Sequence, residues 1–140
     1  MSDNKYYTPE ISELHVGFEC EYREPHEKEW YEDSLNSNDV AYLLAYSDRI
    51  RVKYLDKEDI ESFGFKYIDE DTYILPMLFK PIIFSPGKVW GDIIMHYHPE
   101  DNYTSITGFS EGQEEEYTLF MGLIKNKSEL KKILQMTGVL

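Results

Sequence analysis

Thiol chemistry is almost absent: Cys20 is the only cysteine in 140 residues, so no disulfide can close within the chain. Basic residues are also scarce, 14 Lys and Arg against 27 Asp and Glu, which leaves a net charge of −13. A field of that sign repels phosphate backbones, so binding DNA or RNA by counterion release needs a local basic patch, and no stretch supplies one. Long apolar runs are missing as well. The most apolar segment, Tyr73 to Phe84, is interrupted by Pro76, Lys80 and Pro81 and falls short of the roughly 20 residues of a membrane-spanning helix. The opening MSDNKYYTPE has neither the basic nor the apolar region of a secretory leader. Together these absences point to a cytoplasmic protein with no membrane span and no direct nucleic-acid ligand.

What is present argues for a folded chain. Hydrophobic residues make up 41% of the sequence and aromatic residues 15%, with twelve tyrosines, too rich a composition for intrinsic disorder despite the charge. The length is that of a single domain, residues 1–140, able to bury one core without metal or disulfides. Charge is distributed unevenly. Glu10 to Asp33 holds nine acids against Arg23 and Lys28, whereas Lys125 to Lys132 holds four lysines against Glu129.

Periodicity predicts an α+β fold with a mainly antiparallel sheet. In LHVGFECEY the apolar set Leu14, Val16, Phe18, Cys20 and Tyr22 alternates with His15, Gly17, Glu19 and Glu21, the pattern of a strand with one buried face, which puts Cys20 inside. No base sits at a spacing that would activate its thiolate. Arg23 to Asn38 shows no sustained period and reads as a loop, with acids and aromatics available as a contact surface. NDVAYLLAYS fits a short capped helix, although its tyrosines also suit a strand, and RIRVKYL alternates as a strand. DKEDIESFGF predicts a helix at about 56–63, with Asp56 as N-cap, Glu58 and Asp59 at the positive end of the dipole, and Gly64 after the last turn.

Beyond Gly64, FKYID, TYILPMLF, PIIF, VWGDIIMHYH, YTSITGF and EYTLFMGLI alternate with turn chemistry, an antiparallel meander in outline. SPGK predicts a tight turn on Pro86 and Gly87, flanked by Phe84 and Val89. YTLFMGLI is apolar at both alternating sets, which places it centrally, covered on both faces. The cover is a C-terminal helix at about 127–136, with a capping box at Asn126 and Glu129, apolar positions at Leu130, Ile133 and Leu134, and Gly138 as terminator.

Signatures of catalysis are sparse. There is no GxSxG, P-loop or GxGxxG, and no cofactor is expected. Ser110 in GFSEG reads as a turn residue, and EGQEEE as a solvated turn before the last strand. In IIMHYH, Ile93, Met95 and Tyr97 face one side of a strand while Ile94, His96 and His98 face the other, so the two imidazoles project together at about 7 Å, a spacing that can converge on zinc. The competing account places them at the exposed end of an edge strand that Pro99 terminates. The order His96, His98, Asp101 resembles in outline the metal-binding stretch of metallo-β-lactamase-type hydrolases. However, no histidine adjoins Asp101, the later histidine ligands are absent, and the chain is short for that fold.

YTPEISELHVGFECEY, IRVKYLDKEDIESFGFK and LFMGLIKNKSELKKILQMTGV, in that order, resemble a group of small hypothetical proteins encoded by phages and prophages of gut bacteria. The resemblance covers about half of the chain, both ends and the middle; it implies a mobile-element origin and carries no chemistry. The expectation is a non-enzymatic module that binds a protein partner, from host or phage, through an acidic, aromatic surface at Glu27, Glu29, Trp30, Tyr31, Glu32 and Asp33. One form of it is a DNA mimic directed at a host protein. The alternative is a small metal-binding protein or metal-dependent hydrolase using His96 and His98.

Overall fold

The computed structural model of the chain describes residues 5–14, 18–24, 26–34, 50–77, 80–113 and 115–140. Two compact units divide it, residues 1–54 and 55–140, and each carries its own antiparallel sheet. With two such sheets and two α-helices among the described residues, the protein is α+β and mainly antiparallel.

The first unit holds β1 (Tyr6–Tyr7), β2 (Glu19–Tyr22), β3 (Tyr31–Ser34) and β4 (Ile50–Lys53), in the spatial order β1-β4-β2-β3. Alternation sends Cys20, Ile50 and Val52 inward, and with Phe18 they form a core in which every member is 7% exposed or less. Cys20 packs there as a small hydrophobe. Residues 15–17 of the expected first strand lie outside the described residues, as does the helix or strand expected in NDVAYLLAYS. The segment Arg23 to Asn38 is not a loop throughout, because Tyr31 to Ser34 pairs with β2, with Tyr22 opposite Tyr31 and Glu19 opposite Ser34. Periodicity misses β3 for a physical reason. Tyr31, Glu32 and Ser34 are all exposed, so this edge strand has no apolar face and is held by main-chain pairing. Residues 35–38 lie outside the described residues.

In the second unit β5 (Lys66–Asp69), β6 (Thr72–Pro76), β7 (Trp90–His98), β8 (Tyr103–Ser110) and β9 (Glu116–Leu123) form a meander in chain order. Helix α1 (Lys57–Ser62) begins where Asp56 Oδ1 accepts the Asp59 N–H at 2.9 Å and ends before Gly64, whose φ is 99°. Helix α2 (Lys127–Met136) is capped by Asn126, whose Oδ1 accepts the Glu129 N–H at 2.9 Å. Glu129 Oε1 in turn accepts from the Lys125 N–H at 3.1 Å and from Asn126 Nδ2 at 3.2 Å, closing the box one residue earlier than the usual pattern. Leu130 and Leu134 are fully buried in one core with Ile60, Ile93, Met95, Ile106 and Ile124. Each such side chain contributes about 1.5–3 kcal/mol by leaving water.

Four expectations change here. YTLFMGLI is an edge strand, β9, and not a central one. Its two apolar sets arise from a bulge: Ile106 stands opposite Phe120 and Thr107 opposite Thr118, so Leu119 is an extra residue that shifts the alternation. Tyr117, Leu119, Phe120 and Ile124 consequently belong to the core while Met121 and Leu123 face solvent, 63% and 58% exposed. PIIF is not a strand; Ser85 N–H bonds to the Ile82 carbonyl and Lys88 N–H to the Ser85 carbonyl, two turns in succession. The flanks of SPGK therefore pair as Ile82 with Lys88 and Pro81 with Val89, wider than a Phe84–Val89 hairpin. Ser110 ends β8, buried, where its Oγ accepts the Glu115 N–H at 2.9 Å.

Candidate functional site

The β2–β3 hairpin gathers the acids and aromatics singled out in the sequence. Between Tyr22 and Tyr31 the chain turns through a Glu27 N–H bond to the Glu24 carbonyl, 3.1 Å, and the exposed tip presents Glu27 and Glu29. Trp30 at the base of this turn is half-buried, because two cations occupy its ring: the Arg23 guanidinium lies 4.6 Å and that of Arg51 4.4 Å from its centroid. Arg51 also stands 3.7 Å from the centre of Tyr6 and bonds Glu21 Oε1 through Nε at 2.8 Å and Nη2 at 2.7 Å. Trp30 thus supports the hairpin; cation–π contacts of this kind contribute about 0.5–1 kcal/mol each.

Tyr31 is the aromatic ring the hairpin exposes, at 50%. Its hydroxyl donates to the Glu27 carboxylate, and that bond together with the charges of Glu27 and Glu29 holds the phenol above the ordinary tyrosine range. Glu32 stands directly opposite Glu21 across the ladder, and Glu21 opposite Arg51. Like charges facing each other destabilise a sheet pair, and Arg51, the cation in this row, is bonded to Glu21. Among the described residues Glu29 and Glu32 have no ion pair. Asp33 lies opposite Cys20 in the ladder; its side chain is outside what the structure describes.

Sequence reasoning missed Arg51, Tyr6, Arg23 and Glu21 as parts of this surface. Arg51 meets Glu21 through the pairing of strands thirty residues apart, for which no local pattern exists.

The second candidate, His96 and His98, has the face the alternation predicts, both exposed while Ile93, Met95 and Tyr97 are buried. The strand is different from the expected edge: β7 is the middle one of five. His96 Nδ1 lies 3.1 Å from Thr72 Oγ1 on β6, and His98 Nδ1 lies 3.8 Å from Asp71 Oδ2 and close to the Tyr103 ring, 6.3 Å between centroids. Among the described residues no group of three or more His, Cys, Asp or Glu comes together in a metal-ligating arrangement. No helix among them is long and apolar enough to cross a membrane. Comparison of the chain with protein-family models, curated proteins and solved structures returned no match.

Proposed function

We propose that this protein is a binding module whose β2–β3 hairpin engages a basic protein surface, with Tyr31 as the apolar contact and Glu27, Glu29, Glu32 and Asp33 as the charge. The observation that carries this reading is the Arg51–Glu21–Glu32 row, in which the cation is bonded to the inner acid and the outer one faces solvent on an edge strand. An incoming lysine or arginine would give Glu32 the counter-charge that Arg51 gives Glu21, and the −13 field would speed its encounter. In its DNA-mimic form the partner is a DNA-binding protein, the natural target for an acidic protein of mobile-element origin.

The test is binding at low salt to a panel of basic, DNA-binding proteins, read by titration calorimetry. Reversing Glu27, Glu29 and Glu32 to lysine should weaken a complex at least about tenfold more than reversing Glu58, Glu61 and Glu100, three exposed acids of the second unit with the same total charge. Equal losses for the two triple variants would reduce the effect to bulk charge, and the absence of any complex would remove the DNA-mimic form.

A further inference from the structure

Among the described residues four strands form the ends of the two sheets: β1, β3, β5 and β9. A free edge invites another strand, and proteins blunt their edges by shortness, charge or irregularity. β1 has two residues. β3 carries Glu32 and Asp33, which repel a copy of themselves. β5 has four residues, with Lys66, Asp69 and a bulge between Tyr67 and Asp69. β9 shares a bulge with β5 but differs from all three in length and composition: it has eight residues, no lysine, arginine or proline, and two exposed apolar side chains, Met121 and Leu123. Among the described residues its one strand neighbour is β8.

Main-chain direction along β9 follows from its two ends. Ser110 N–H donates to the Glu115 carbonyl and Ile124 N–H to the Asn102 carbonyl, each at 3.0 Å, so Glu115 and Ile124 turn their peptide groups toward β8. In an antiparallel strand this direction alternates. Counting inward from each end, Glu116 and Thr118 on one side of the bulge, and Met121 and Leu123 on the other, turn their N–H and C=O groups to the free edge. The steps between these four positions are two residues, three residues and two residues, because Leu119 is extra. That series reads the same in both directions. A regular strand, stepping by two throughout, meets half of these positions and loses register at the bulge. An antiparallel copy of β9 meets all four.

We infer that the occupant of this edge is a second copy of the chain, joined through β9 about a two-fold axis between Leu119 and Phe120, so that the two five-stranded sheets become continuous. Glu116 then pairs with Leu123 of the second copy and Thr118 with Met121 of the second copy, in both directions. No like charges stand opposite each other, and exposed Met121 and Leu123 gain cross-strand neighbours. The edge ends where it should: beyond Leu123, the Lys125 carbonyl already accepts the Leu55 N–H at 2.8 Å.

The experiment is sedimentation equilibrium of the full chain over a concentration and salt series, with amide hydrogen exchange at both ends of the concentration range. A mass approaching twice 16.6 kDa is expected. Salt should strengthen the dimer by screening two copies of charge −13, the opposite of its effect on an acidic–basic complex. The amides of Glu116, Thr118, Met121 and Leu123 should become protected as the dimer forms. Thr118→Pro removes an outward N–H that the monomer does not use, and should weaken association about 30-fold or more through two lost bonds. Met121→Lys, at an exposed position, is the second variant. A monomer at all concentrations overturns the inference, as does a dimer in which those four amides exchange freely, and hydrogen exchange on the unmodified chain decides the matter even if Thr118→Pro fails to fold.

Discussion

Replacing Gly108 with alanine tests how tightly the second core is closed. Gly108 lies on the inner side of β8, and a methyl group built there would come 2.3 Å from Trp90 Cζ3, 2.8 Å from Cη2 and 3.0 Å from Ile93 Cδ1. Carbon atoms in ordinary contact sit about 3.5–4.0 Å apart, so the indole would have to retreat by about 1.2 Å or more. It has nowhere to go. Trp90 is 1% exposed and Ile93 fully buried, and Phe84 and Tyr117 meet the indole edge to face with centroids 5.8 Å and 5.7 Å away. Overpacking of this severity belongs at the upper end of measured costs, about 3 kcal/mol. For a chain of this size that lowers Tm by about 10 °C. The assay is thermal and urea unfolding by circular dichroism, for Gly108→Ala alone and combined with Trp90→Phe. Phenylalanine lacks the offending ring atoms, so the alanine should cost much less in that background. A Gly108→Ala protein within about 0.5 kcal/mol of the parent, or one penalised equally in both backgrounds, would refute the packing account.

Two further outcomes follow from the turns and the core. The β5–β6 hairpin closes through Glu70 and Asp71, which both adopt positive φ, 43° and 64°, a two-residue turn that favours Asn-Gly; the double substitution Glu70→Asn, Asp71→Gly should raise stability by about 1 kcal/mol, and an unchanged Tm would show that this backbone is not strained. Burial is the first cause holding the Tyr97 phenol above its ordinary range, where its single O–H is shared between the Leu55 carbonyl at 3.0 Å and Asn102 Oδ1 at 3.1 Å. A phenol that resists ionisation only when folded makes stability full below the unfolded pKa of about 10 and falling as pH rises past it. Tyr97→Phe should cost about 1–3 kcal/mol at neutral pH and flatten the alkaline decline, and a slope indifferent to this substitution would contradict the assignment.

Local chemistry was enough for the elements whose causes are local. The α2 boundaries follow from Asn126, Glu129 and Gly138, the α1 boundaries from Asp56 and Gly64, and the inward face of β7 at Ile93, Met95 and Tyr97 from alternation, because caps and side-chain direction act within a few residues. The tight turn at Pro86 and Gly87 is of the same kind.

Tertiary structure alone decided what depends on pairing between distant segments. β3 exists because β2 offers it a ladder, and its exposed acidic residues show no period of their own. β9 is an edge because β8 is its one strand neighbour among the described residues, and one inserted residue, Leu119, turns Met121 and Leu123 to the solvent face; a bulge is a relation between two strands, fixed only when they pair. Arg51 reaches Glu21 and leaves Glu32 facing solvent only because the register of three strands aligns them. Composition therefore set the charge and the aromatic supply, whereas register determined which acids are paired with a cation and which face solvent, since electrostatic neighbours in a sheet are chosen by hydrogen bonding across it and not by order along the chain.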